Sequence, residues 1–123
     1  MTSFTSQAIA NYTANFQQRQ IRDLLRRKQR YQQGWEQAKI AAKILKTRFG
    51  VGQVIVFGSL LNSETFDVNS DIDLAVEKLP LNQYCDAVGM LLLKVKDFNV
   101  DLVRLEAAQP DLKAHILQEG VKL

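Results

Sequence analysis

The chain has 123 residues, a net charge of +3 and a hydrophobic content of 46%, which suffice for one compact core but not for a second large domain. No apolar run approaches the roughly 20 residues that span a membrane, and the polar residues 1–5 lack the apolar segment of a signal peptide. The single cysteine, Cys85, excludes an internal disulfide framework. We therefore expect a soluble, cytoplasmic protein.

The positive charge is concentrated in the first part of the chain. Residues 1–49 carry ten Lys or Arg against two acidic residues, a balance of +8, whereas residues 50–123 carry six against eleven, a balance of −5. Clustered basic residues on a helix are the electrostatic footprint of phosphate binding, so residues 19–30 could contact nucleic acid. The alternative is a solvated face or one that meets a protein. We favour this alternative, and within it a protein partner, because no RNA-binding motif with interleaved aromatic residues accompanies the arginines.

Apolar spacing predicts helix in the region before residue 50. Gly34 could break or bend this helix into two, and Gly50 and Gly52 are expected to end it. The predicted apolar stripe comprises Ile21, Leu24, Leu25, Tyr31, Trp35, Ala38, Ala41, Ala42, Leu45 and Phe49. Tyr31 and Trp35 are expected to pack against the core rather than to stack on bases. Residues 1–18 form either a docking helix or a frayed tail, and their larger apolar residues are Phe4, Ile9, Tyr12 and Phe16.

Residues 53–76 contain the pattern that points most directly to a chemical function. The β-branched and aromatic run at 54–57 predicts a buried strand, after which Gly58 allows a sharp turn and Ser59 offers a hydroxyl to a phosphate. In a second strand, Asp71 and Asp73 share one face, because alternate residues of a strand point the same way. The opposite face carries Ile72, Leu74 and Val76. Two carboxylates facing a Gly-Ser turn can hold Mg²⁺ and a triphosphate, as nucleotidyl transfer requires.

The remaining elements complete a predicted α+β chain. A helix from Pro80 to about Val95 is expected to bury Cys85 as a packed thiol, together with the stripe Leu81, Val88, Leu91, Leu92 and Val95. A third strand at about 99–104 places Asp101 on the face opposite Val100 and Leu102. Pro110 opens a last helix that Gly120 closes, with His115 at the surface. Its expected core-facing residues are Leu112, Ile116 and Leu117.

The order of strand, Gly58-Ser59, loop, Asp71-Ile72-Asp73 and a later strand with Asp101 resembles the polymerase-β-like nucleotidyltransferase superfamily, and within it the minimal nucleotidyltransferases (MNT proteins). The resemblance implies a small mixed β-sheet with helices packed on it, in a minimal nucleotidyltransferase domain at 35–123. Residues 1–34 would be a basic helical N-terminal extension. The resemblance also implies Asp71, Asp73 and Asp101 as catalytic metal ligands, with a general base as the alternative role for Asp101. It implies Gly58 and Ser59 as nucleotide-binding residues.

The resemblance further implies a function. Stand-alone MNT proteins are similar to antitoxins whose partners are HEPN-domain toxins, and the implied reaction moves AMP from ATP onto a hydroxyl of the toxin with Mg²⁺, in a two-metal site. Alternatives are an antitoxin that neutralises its partner by contact alone, and nucleotidyl transfer to RNA or a small molecule. The family's basic triphosphate anchor after Gly-Ser is missing from residues 60–63, which leaves turnover open. Lys94, Lys96 or Arg104 are candidates for the missing charge.

Overall fold

The computed structural model describes residues 5–123 and has a mixed α+β architecture, as predicted. Phe4 lies outside the described residues. In chain order the elements are α1 (Ser6–Phe49), β1 (Gln53–Phe57), β2 (Ile72–Glu77), α2 (Leu81–Lys94), β3 (Val100–Arg104), α3 (Pro110–Glu119) and β4 (Val121–Lys122). Two short 3₁₀ turns follow β1 and β3, at Gly58–Leu61 and Leu105–Ala107. Over these residues, no helix has both the length and the apolar character needed to cross a membrane.

The four strands form one small mixed sheet in the order β3-β2-β1-β4. Strand β1 is antiparallel to β2 and β4, whereas β2 and β3 are parallel. Strand β4 was not predicted, because two residues carry too little periodicity to identify a strand. Gly120 lets the chain pass from α3 into β4 close to β1, because an added Cβ there would overlap Ile55 Cγ2 and the Ile116 carbonyl oxygen.

The two faces of the sheet have different roles. One face supports the main core, where Val54, Val56 and the predicted inward residues of β2 pack with α1 and α2. The other face carries a small cluster of four buried residues, namely Ile55, Ala75, Leu105 and Ile116. Asp73 alternates with the core residues of β2, so it lies on the second face. The predicted alternation in β2 is therefore confirmed.

Helix α1 is a single helix of 44 residues, about 66 Å long at 1.5 Å per residue. Thr5 caps its start by accepting a hydrogen bond from the Ala8 N–H at 3.1 Å, and Gly50, at φ 64°, ends it in the left-handed conformation. The break considered at Gly34 does not occur. Gly34 is buried instead, where a Cβ would lie 2.9 Å from Leu60 Cδ1, so its small size serves close packing. The domain boundary predicted at residue 34 falls inside this helix and stays a prediction.

Several predicted core positions are exposed. In α1, Ile21, Leu24 and Leu25 are 55–63% exposed because the rest of the described chain does not cover this part of the helix. In α2 and α3, Leu81, Leu92, Leu112 and Leu117 are exposed, since each helix turns a narrower face to the core than its apolar content predicts. Cys85 is also exposed, which overturns its interpretation as a packed thiol. Tyr31 and Trp35 do pack against the main core, as predicted.

Candidate active site

The turn at Gly58 brings the end of β1 against the first half of β2. Gly58 has a φ of 76°, and a Cβ at this position would overlap Asp73 Oδ2 and lie 3.1 Å from Asp73 Cγ. The contact follows from the register, which pairs Phe57 with Asp73 across the β1–β2 ladder. Glycine is therefore required here both by the backbone conformation and by the carboxylate next to it. The sequence-predicted Gly58 and Asp73 meet in one site.

Of the three sequence-predicted carboxylates, Asp73 contacts this turn, and Asp71 and Asp101 lie near Asp73. Asp101 pairs with Asp73 in the parallel β2–β3 register, and Asp71 precedes Asp73 by two residues. Burial, together with the negative charges of Asp101 and Asp71, raises the pKa of Asp73 from 3.8 to about 6. Asp73 is half-buried, whereas Asp71 and Asp101 are exposed. We call these three residues the acidic cluster.

The acidic cluster has the chemistry of a divalent-cation site. Within residues 5–123, no three His, Cys, Asp or Glu side chains converge closely enough to hold a metal ion by themselves. Mg²⁺, however, usually takes only one or two carboxylates and completes its coordination with water and substrate oxygens. Burial is the main cause of the raised pKa of Asp73, and the charges of Asp101 and Asp71 add to it; a bound cation would relieve the repulsion among these carboxylates. The donor set therefore fits Mg²⁺, and the assignment of individual ligands stays a prediction.

The segment between the Gly-Ser turn and the acidic cluster is held by its own polar groups. Thr65 Oγ1 donates to the Ser59 carbonyl oxygen at 2.9 Å, which fixes the loop to the turn. Asn62 and Asp67 each accept a backbone N–H two residues further on, from Glu64 and Asn69, as short polar side chains do in turns. Hydrogen bonds within the segment therefore hold the loop that runs from the half-buried Ser59 to Asp71.

The positions after Gly58-Ser59 contribute to the core. Leu60 is fully buried beneath α1, so this position holds no group for a triphosphate. Of the basic residues considered from sequence, Arg104 has a structural role, because its Nε donates to the Leu79 carbonyl oxygen at 2.7 Å. Within residues 5–123, no hydrogen bond joins Lys94 or Lys96 to the Gly-Ser turn.

Sequence reasoning missed Arg30, which α1 places near the acidic cluster. Its guanidinium lies 3.8 Å from the ring centroid of Phe98, and it lines a cavity of about 420 Å³ together with Ser70 and Asp71. The residue was visible only as one member of the basic run at 19–30. Its separation of 41 positions from Asp71 left no local pattern to identify it.

A groove of about 520 Å³ opens on the other side of the acidic cluster, and we call it the Asp101 groove. It lies along β3, which is an edge strand of the sheet. Tyr84 lines it and donates its hydroxyl to the Leu102 carbonyl oxygen at 2.6 Å. The exposed Leu81 and Leu112 line it. A hydroxyl-bearing acceptor in this groove would lie next to Asp101.

Comparison with known proteins agrees with this geometry. The family model described as "Polymerase beta, Nucleotidyltransferase" matches residues 39–123. A search among curated proteins gives no match. The matched region contains the Gly-Ser turn, the acidic cluster and the Asp101 groove, whereas Arg30 and most of α1 precede it.

Proposed function

This chain belongs to the polymerase-β nucleotidyltransferase family, and we propose that it is a Mg²⁺-dependent adenylyltransferase that moves AMP from ATP onto a hydroxyl of a HEPN-domain toxin. Family membership supports nucleotidyl transfer as the general activity, while the nucleotide, the metal and the acceptor belong to the proposal. The observation that carries it is the register of Asp73 with Asp101, directly beside the Gly58 turn. Nucleotidyl transfer depends mainly on positioning the reactants and on neutralising phosphate charge. Carboxylates that can hold a cation beside a glycine turn suit this reaction.

Different residues of the chain act on different parts of the substrates during the transfer. The acceptor oxygen forms a bond to the α-phosphorus, and the bond from that phosphorus to the bridging oxygen of pyrophosphate breaks. We assign the acceptance of the hydroxyl proton to Asp101, which is exposed in its groove, and the binding of the departing pyrophosphate to Ser59 and the backbone of the turn. Mg²⁺ held by Asp71 and Asp73 would neutralise phosphate charge and acidify the hydroxyl.

Two surfaces support a protein as the acceptor. The Asp101 groove has exposed leucines beside an edge strand, a combination that accepts extended polypeptide. The first half of α1, residues 6–26, is exposed throughout and carries Ile9, Tyr12 and Phe16 at 49–68% exposure. We call it the N-terminal arm. An exposed helix with large apolar residues is an expected docking element, and its basic residues favour an acidic partner surface or, alternatively, RNA.

One observation supports the alternative of a contact-only antitoxin. The position after Ser59 is a buried leucine, and residues 60–63 contain no basic group to anchor a triphosphate. If that charge is not replaced elsewhere, the arm and groove could still capture a toxin without any transfer. The two functions differ in whether AMP is found on the partner.

Labelling with ATP that carries radioactive phosphorus at the α-position tests the proposal. The chain is incubated with Mg²⁺, a HEPN-domain partner and, separately, with total RNA. We expect label on the protein partner, its loss with EDTA, and a loss of at least about 100-fold in rate with Asp101→Asn. Asp86→Asn, an exposed carboxylate on α2, is the matched control and should label normally. If the chain neutralises the toxin and leaves it unlabelled, it is the contact-only antitoxin. If only RNA is labelled, the protein acceptor is rejected.

A further inference from the structure

We infer that Arg30 binds the phosphate chain of the nucleotide and supplies the positive charge that residues 60–63 lack. This inference deepens the proposed function and rests on it. Arg30 lies on α1, outside the segment that carries the Gly-Ser and Asp-x-Asp motifs, yet it lines the same cavity as Ser70 and Asp71. The site would therefore be completed by a residue from a different element of the fold.

The guanidinium of Arg30 is held in place but is not satisfied. It stacks over Phe98 at 3.8 Å from the ring centroid, and Phe98 in turn lies 5.9 Å from Phe66, between ring centroids, in the main core. Its Nε atom is buried and has no hydrogen-bond partner among the described residues. A buried donor without an acceptor is unfavourable. Because the atom is buried in the described conformation, a ligand oxygen would satisfy it once the side chain turns Nε toward the cavity.

The next arginine of α1 toward its start has a purely structural contact and serves as a comparison. Arg27, one turn earlier, donates from Nη2 to the Glu64 carbonyl oxygen at 2.8 Å and so fastens the loop to the helix. Arg30 has the same side chain and the same helix beneath it, but its Nε has no such acceptor. The difference indicates that Arg30 has a role that the described chain alone does not fulfil.

The cavity at Arg30 has the composition expected for a phosphate bound together with a cation. It measures about 420 Å³, and besides Arg30 its polar lining residues are Asn69, Ser70, Asp71, Asp97 and Asn99. Two carboxylates would repel a free anion, so phosphate should enter only when a divalent cation accompanies it. Arginine suits this task because its planar fork donates two parallel hydrogen bonds to phosphate oxygens. The ligand class is thus a metal-bound polyphosphate.

Calorimetry with Mg²⁺ and three ligands (ATP, AMP and adenosine) tests the inference. Arg30→Gln should weaken ATP binding about 10- to 100-fold, the range for loss of a charge-assisted hydrogen bond, and leave adenosine binding unchanged. Arg30→Lys should retain part of the affinity because it keeps the charge. Arg27→Gln is the matched control and should bind ATP within about two-fold of the original chain. A merely structural Arg30 would weaken all three ligands alike.

The outcomes separate this inference from the proposed function. If the original chain does not bind Mg²⁺-ATP, the proposed function fails and the inference with it. If the original chain binds ATP and Arg30→Gln binds it equally well, the Arg30 role is wrong while the proposed function stands. Should Arg30→Gln not fold, the Nε–H resonance of Arg30 in the original chain is followed during titration with Mg²⁺ and tripolyphosphate. A shift of that resonance supports the contact, and an unchanged resonance at saturation rejects it.

Discussion

Replacing Asp73 with asparagine should stabilise the metal-free protein at neutral pH. Asp73 has a pKa of about 6 in the folded chain against an ordinary value of 3.8, with burial as the main cause and the charges of Asp101 and Asp71 as further causes. The folded state therefore binds the Asp73 proton more tightly than the unfolded state does. Stability from this group is fully present below about pH 4 and is lost as the pH rises through 6.

The magnitude follows from the size of this difference. A rise from 3.8 to about 6 corresponds to roughly 3 kcal/mol at 1.36 kcal/mol per pH unit. Asp73 is only half-buried, so solvent screening reduces the expected gain for Asp73→Asn to about 1 kcal/mol at pH 7. For a chain of 123 residues this corresponds to a melting temperature about 3–6 °C higher. Below pH 4 the carboxyl is protonated in both states, and the two proteins should unfold alike.

The assay is urea unfolding in EDTA at pH 4, 5, 6 and 7, with Asp86→Asn as the control for removing an exposed charge. Adding Mg²⁺ should reverse the order, because a cation that binds only the folded acidic cluster stabilises the original chain and not the variant. A variant that is less stable than the original chain at pH 7 would refute the reasoning. So would a gain that is the same at pH 4 and pH 7, because it could not come from the ionised carboxylate.

Three further perturbations test the geometry. Gly58→Ala should lose nucleotide binding and destabilise the fold by about 1–3 kcal/mol in urea unfolding, because its Cβ meets Asp73 at a positive φ; unchanged ATP affinity would contradict the site. Gly120→Ala should lower the free energy of unfolding by about 2–4 kcal/mol, because the added Cβ forces β4 away from β1. Hydrogen exchange at the Leu123 N–H, which donates to the Val54 carbonyl oxygen, should then become faster. Removal of residues 1–22 should abolish capture of the partner in a pull-down and leave the melting temperature unchanged. Removal of residues 1–33 should lower the melting temperature, because it also removes the packed side chains of Arg30 and Tyr31. If the chain without residues 1–22 still captures the partner fully, the arm is only solvated helix.

Features that depend on near neighbours in the chain could be predicted from the sequence. The period-two pattern of β2 places Asp73 and Ala75 opposite Ile72 and Leu74, because the pleat of a strand leaves no other arrangement. The Gly58 turn and the shared face of Asp71 and Asp73 follow from the same local geometry, whereas the approach of Asp101 to Asp73 was expected from the family resemblance. The mixed sheet and the helices around it were expected on these grounds and are confirmed.

Features that depend on distant partners could not be predicted. A helical stripe indicates which residues share a face, but not whether another element covers that face. Leu24 and Leu25 share the periodicity of a core helix and remain exposed, while Leu81 and Leu112 lie in a groove instead of the core. The pairing of β4 with β1 and the approach of Arg30 to Asp71 are likewise products of tertiary packing, which no window of the sequence contains.

The missing basic residue after Gly58-Ser59 is explained by what occupies its position. Leu60 is fully buried, and its Cδ1 would lie 2.9 Å from a Cβ on Gly34, so the turn is pressed directly against α1. A cation at position 60 would have to be buried there without a partner, at a cost of several kcal/mol. The close packing that excludes a basic side chain from the turn also brings α1, and with it Arg30, to the edge of the acidic cluster. A departure from a family motif can therefore relocate a function to another element, and it indicates loss only when no other element of the fold supplies the charge.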